Sequence, residues 1–222
     1  MKKVEIFKKH LIEEEKLKKN FKIERLLEIP KIIAFLDSSY YKENIISCFL
    51  FYDFLNKKVL KKKYIIGKVK VPYVPTYLSL REAPFYIKGL ENEIFDLIIV
   101  DGQGIAHPRR MGIATYLGTK LNKPSIGIAK SLLYGKYEEV GESKGDFSFI
   151  KDENGDILGF VYRTKENVKP IFVSIGNLID VEGALFIIKN LNSKYRIPEP
   201  LREVDIYSRN LRRSFFENIH NW

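Results

Sequence analysis

Cysteine is almost absent from this chain: Cys48 stands alone among 222 residues, and the three histidines are scattered without ligand spacing. That excludes a disulfide framework and a soft-metal centre built on thiolate or imidazole. No long uncharged apolar run occurs, so no membrane span is expected. The opening segment, MKKVEIFKKHLIEEEKLKK, is charged and has no apolar core of signal-peptide length, so a cytoplasmic protein is expected. The third glycine of a GxGxxG fingerprint and the lysine of a Walker motif are both missing, which argues against a nucleotide-phosphate loop.

What is present is a folding composition, 45% hydrophobic and 13% aromatic, of a length that suits one well-cored domain spanning 1–222. Residues 1–29 are expected to add an N-terminal helix packed on it, ending before Pro30, with Val4, Phe7 and Leu11 on its apolar side. Lys and Arg exceed Asp and Glu by 38 to 28, a formal charge of +10, so polyanions are the expected partners.

The chemistry is concentrated where apolar runs end in acids. In FDLIIVDGQGIAHPRRMG, Phe95 to Gly112, the run Leu97 to Val100 delivers Asp101 into a turn containing Gly102 and Gly104. These glycines let the backbone bend sharply and let a ligand approach it. Ile32 to Leu36 likewise ends in Asp37, followed by Ser38 and Ser39. If the two strands are neighbours, their carboxylates converge and repel unless a proton or cation neutralises them. A hard divalent ion such as Mg²⁺ suits oxygen donors of this kind.

Around these runs the pattern predicts strands at Ile45 to Phe54 and Val59 to Ile66 in an antiparallel meander. A helix is expected from Met111 to Leu121 and a strand from Ser125 to Ile128, with Lys130 just beyond it. Further strands lie between Tyr137 and Arg163 with DENGD as a hairpin tip, then a strand at Ile171 to Ser174 and a helix at Val181 to Leu191. A basic C-terminal helix follows PEP. Pro72 and Pro75 bracket Tyr73 and Val74, which predicts a stiff projecting loop bearing an aromatic tip. Ser79 and Glu82 have capping-box spacing at the start of a helix running to about Gly89.

Taken in order, Asp37, PYVPTYLSLREAP, DGQGIAHPRRMG, GIAKSLLYG, SIGNLIDVEGA and IPEPLREVDIYSR resemble the endonuclease V family from about residue 30 onward. The resemblance implies an α/β fold, a ribonuclease H-like mixed sheet flanked by helices. It also implies metal-dependent cleavage of nucleic acid at deaminated adenine, at the second phosphodiester bond 3′ to the inosine. By motif matching the metal site falls on Asp37, Glu82 and Asp101, with Mg²⁺ as cofactor and Mn²⁺ as a substitute. His107 and Lys130 fall near the scissile phosphate. Tyr73, with Pro72, Val74 and Pro75, falls in a strand-separating wedge, and Leu78, Gly102, Gly104 and Gly112 in the base pocket. The implied partner is DNA containing deoxyinosine, with RNA as a second substrate class, bound by a monomer without a membrane.

Two positions depart from the family pattern. Thr76 stands where many relatives have glycine after the wedge, and Asn177 follows Gly176 where a histidine is common. Asn177 is therefore kept as an additional site residue that would orient a metal-bound water. The competing reading is a noncatalytic inosine- or structure-specific nucleic-acid-binding protein on the same fold. Crowding Asp37, Glu82 and Asp101 beside a polyanion has no purpose in such a module.

Overall fold

The computed structural model describes residues 2–191 and 194–217. After helix α1 (Lys2–Lys18) the chain makes the meander β1 (Ile32–Tyr41), β2 (Asn44–Asp53) and β3 (Lys58–Lys68). Then follow α2 (Leu78–Leu90), β4 (Leu97–Asp101), α3 (Ile113–Leu121), β5 (Ser125–Ala129), β6 (Phe147–Lys151), β7 (Ile157–Tyr162), β8 (Ile171–Ile175), α4 (Val181–Asn190) and α5 (Glu199–Arg212). A π-helical turn, Arg213–Glu217, closes the described chain.

The strands form one mixed eight-stranded sheet in the order β3-β2-β1-β4-β5-β8-β7-β6. β1, β4 and β5 run parallel side by side, while the meander and the β6-β7-β8 unit pair antiparallel. Parallel neighbours need a crossover, and α2 and α3 supply the two. Continuous apolar runs at Leu97 to Val100 and Ile32 to Leu36 are what a strand covered on both faces requires.

Two clusters cover those faces. Ile33, Phe35, Leu97, Ile99, Ile126 and Ile128 point into the one packed by α4 and α5. Ala34, Leu36, Ile98 and Val100 point into the other, with Ala83 and Tyr86 of α2 and Ala114 and Leu117 of α3. Alternation along a strand is strict, so Asp37 and Asp101 fall on the α5 side with the odd-numbered residues.

Several local expectations are corrected. α1 stops at Lys18, and 19–31 cross to β1 without helix or strand. β1 runs on through Asp37 to Tyr41, because its pairing with β2 continues to Tyr41↔Asn44. Ser79 and Glu82 make no capping box: α2 begins at Leu78 with no side-chain cap, Ser79 faces His10, and Glu82 accepts hydrogen bonds from two tyrosines. The DENGD tip is a hairpin turn as read, and Arg110 grips it through Asp152 and Asp156.

Candidate active site

In the parallel register Leu36 pairs with Val100, which sets Asp37 and Asp101 side by side one residue further on. β5 ends one strand away, and Lys130 just past it donates from Nζ to Asp101 Oδ2 at 2.8 Å. Glu82 comes from α2, buried to 5% exposure, with its oxygens held by Tyr40 Oη at 2.6 Å and Tyr86 Oη at 3.1 Å. Ser208 Oγ of α5 reaches Asp37 Oδ2 at 3.3 Å.

The electrostatics are those of crowded acids. Burial pushes the Asp37 carboxyl well above the usual range, and the charges of Asp101, Glu82 and Asp205 push it further, against Lys130. Burial raises Glu82 to about 7, opposed by the phenols of Tyr40 and Tyr86 and reinforced by Asp101. Lys130 is desolvated, yet its ammonium is held above its ordinary value by Asp101 and then by Asp205 and Asp37. Burial also drives the Cys48 thiol up to about 12, so the single cysteine is not a nucleophile.

Asp205 was not legible as a site residue. On α5, Leu201, Val204 and Ser208 mark the buried stripe, and Asp205 lies beside it, close enough to act on both Asp37 and Lys130. With Glu199 and Glu203 on the same helix, one further acid beside the stripe gave no local signal.

Four carboxylates, three of them acting on the Lys130 ammonium, are a donor set for a hard cation. Their oxygens are not drawn around one point, since among the described residues no three such side chains form a closed cage. Asp37, Asp101, Glu82 and Asp205 fit a divalent ion by chemistry, each held by its own hydrogen-bond or ion-pair partner.

A cavity of about 200 Å³ lies beside this cluster, lined in part by Tyr73, Pro75, Leu78, Gly102, Gln103 and Gly112. Tyr73 is 66% exposed at the tip of its loop, with the Arg81 guanidinium 5.8 Å from the ring centroid. It is not a core aromatic. Pro72 is exposed and Val74 half-buried in the same loop.

Gly104 and Gly112 both sit against protein backbone. A Cβ at Gly104 would stand 2.0 Å from the Ile175 carbonyl oxygen and one at Gly112 2.3 Å from that of Gln103, so each missing side chain lets two segments of protein backbone meet. Gln103, which sequence reading passed over, lines the cavity and donates from Nε2 to the Ser131 carbonyl at 3.1 Å.

His107 and Asn177 are both spent elsewhere. His107 donates from Nε2 to the Thr76 carbonyl at 3.0 Å, and its Nδ1 accepts from the Arg109 amide at 3.2 Å. Burial and then the Arg109 charge lower it to about 4, so it is neutral near pH 7. Asn177 is fully buried: its Oδ1 accepts from the Lys22 amide at 3.1 Å and its Nδ2 donates to the Gly118 carbonyl at 3.2 Å. It ties the crossing segment to the end of α3 and does not join the carboxylates.

A mixed sheet of this order, with acids at the ends of neighbouring parallel strands, is a ribonuclease H-like nuclease arrangement. Within it, the chain belongs to the endonuclease V family, whose model matches residues 15–206. An endonuclease V from Kosmotoga olearia is 43% identical over 185 residues, 82% of each chain. One from Petrotoga mobilis is 41% identical over 203 residues, 90% of each. A Ciona intestinalis endonuclease V, solved in complex with a 24mer DNA containing an inosine followed by a ribo-adenosine, superposes with a TM-score of 0.82 at 28% identity, covering 95% of this chain and 99% of that one.

Proposed function

We propose that this endonuclease recognises inosine in DNA and, with a bound divalent cation, hydrolyses the second phosphodiester bond on its 3′ side, leaving a 3′-hydroxyl and a 5′-phosphate. The observation that carries the reading is the adjacency of Asp37 and Asp101, with Lys130, beside the cavity under the Tyr73 loop. Support comes from the inosine-DNA complex of the Ciona relative.

In this reading Asp37, Asp101 and Glu82 hold the cation, Mg²⁺ or Mn²⁺, with Asp205 at its margin. When bound, the ion relieves the phosphate charge and makes a water nucleophilic at neutral pH. Ser208 orients Asp37, and Tyr40 and Tyr86 fix Glu82 in one rotamer. Lys130 is placed to exchange Asp101 for a phosphate oxygen as charge builds there. His107, being neutral and doubly engaged, holds the Thr76 loop and lines the pocket without carrying a proton.

Base choice follows from edges. Hypoxanthine offers an N1 proton and a C6 carbonyl where adenine offers an N1 acceptor and a C6 amine, so fixed backbone groups around Gly102 and Gly112 distinguish them. Guanine shares that edge but adds a C2 amine, which the cavity excludes by size. Extruding the base costs a few kcal/mol, and a rigid aromatic at the tip fills the space it leaves.

The test is a nicking assay on a duplex with one inosine, with and without divalent ion, the cut mapped to single-nucleotide resolution. A single nick at the second 3′ bond is expected. Equal cutting of the adenine control, or cutting that persists in chelator, would count against the proposal.

Tyr73→Ala separates wedge from pocket within the same assay. Truncating a core aromatic costs about 3–5 kcal/mol, but Tyr73 is exposed, so the melting temperature is expected to stay put. The rate loss should be greatest for inosine in a stable duplex, smaller in a mismatch and smallest in a single strand. An equal loss on all three would remove Tyr73 from the wedge.

A further inference from the structure

Helix α1 lies outside the motif set that places the site, yet one stripe of it is buried against the site's loops. Phe7, His10 and Glu14 recur at helical spacing, with Leu17 completing the stripe. Val4, expected on the apolar side, is exposed. A fully buried carboxylate at the centre of such a stripe is an expense that needs a partner.

Glu14 has that partner in Arg109. Its two oxygens take Nε at 2.7 Å and Nη2 at 3.2 Å in a fork, with His10 Nε2 3.1 Å from Oε1. The far side of the same guanidinium donates to the Thr76 carbonyl at 2.7 Å and to Thr76 Oγ1 at 3.0 Å. Tyr77 is closed between Phe7, edge-on at 5.0 Å, and Arg109, 4.1 Å above the ring.

Thr76 is held in the left-handed region at φ +70, a conformation that a β-branched residue resists. Two donors on its carbonyl, Arg109 and His107, keep it there. Pro72 and Pro75 stiffen the loop upstream, so the angle at Thr76 fixes where Tyr73 stands, as the base of a lever fixes its tip.

We propose that α1 braces the Tyr73 loop, and that Glu14 is a positioning residue for base extrusion, acting through Arg109 and Thr76. This rests on the wedge reading above. Glu14 touches neither substrate nor cation in it, so its loss should not reach the chemistry of the cut.

The experiment compares wild type, Tyr73→Ala, Glu14→Gln and Phe7→Ala on inosine in a stable duplex, in a mismatch and in a single strand, with melting temperatures beside the rates. Glu14→Gln keeps the shape and removes the charge that fixes the guanidinium. Duplex nicking should fall about tenfold, the rate equivalent of ~1.4 kcal/mol, while single-strand nicking stays near wild type. Phe7→Ala, at a half-buried position, gives the same order with a smaller loss and serves if Glu14→Gln does not fold. Equal losses on all three substrates, or no duplex loss in either folded variant, would overturn the brace. If wild type fails to cut inosine, or Tyr73→Ala shows no gradient, the functional reading falls and the brace with it. A gradient for Tyr73→Ala without one for Glu14→Gln and Phe7→Ala sinks the brace alone.

Discussion

Replacing Asp37 or Asp101 with Asn is expected to lower nicking by about three orders of magnitude or more, a loss of ~4 kcal/mol of transition-state stabilisation. Each change removes a charge from the proposed cation site at nearly constant size. Binding to inosine-DNA should survive or tighten, because a negative charge facing phosphate is gone. Metal-free Asp37→Asn should also melt higher than wild type, since the side-by-side acids repel one another, whereas Asp101→Asn gives up the Lys130 ion pair as well.

That repulsion has a pH signature with a definite sign. In the folded, metal-free protein Glu82 ionises at about 7 against an ordinary 4.5, and Asp37 is raised in the same direction. The fold therefore holds protons that the unfolded chain has released, and stability falls as pH rises from 4.5 through 7. Melting curves across that window should show the decline in wild type and a shallower one in Asp37→Asn. Wild-type turnover by either Asn variant would dismiss the assignment.

The second large effect is on stability. Gly104→Ala places a Cβ 2.0 Å from the Ile175 carbonyl oxygen and 2.9 Å from that of Ser174, backbone atoms that have nowhere to go. Overpacking of this kind costs about 3 kcal/mol or more, which for a chain of this size lowers the melting temperature by roughly 6–12 °C. The loss should appear without substrate and be the same in its presence. A variant that melts normally and fails only to bind inosine would return Gly104 to the base pocket.

Gly104 also shows where sequence reading stops. A glycine beside an active-site acid is read as room for a ligand, but whether its neighbour is a base or Ile175 depends on β8, placed beside β5 by a chain excursion of more than forty residues. Asp37 and Asp101 were legible because an apolar run ending in an acid is a local pattern, and sheet parity then puts both on one face. Glu82 was legible through motif likeness, while its spacing to Ser79 pointed to a cap that tertiary contacts with His10, Tyr40 and Tyr86 replace. Asp205 and Glu14 were hidden for a shared reason. Each sits on a charged helix where one more acid is unremarkable until the facing surface is known.

The parity that places Asp37 and Asp101 on the α5 face makes the chain unequal in what lengths it tolerates. A one-residue insertion between Ile32 and Asp37 would turn Asp37 to the α2 and α3 side, away from Ser208, while leaving every residue type intact. Substitutions are forgiven there more easily than a change of count. The turn between β2 and β3, whose residues Leu55 to Lys57 are exposed, carries no such phase, because its tie to α4 is the long, flexible Lys57 side chain on the Asn190 carbonyl. The DENGD turn does, because Arg110 beside the glycine turn grips its Asp152 and Asp156. Variation in length among working copies of this enzyme should therefore collect at the β2–β3 turn and spare both the first strand and the DENGD tip.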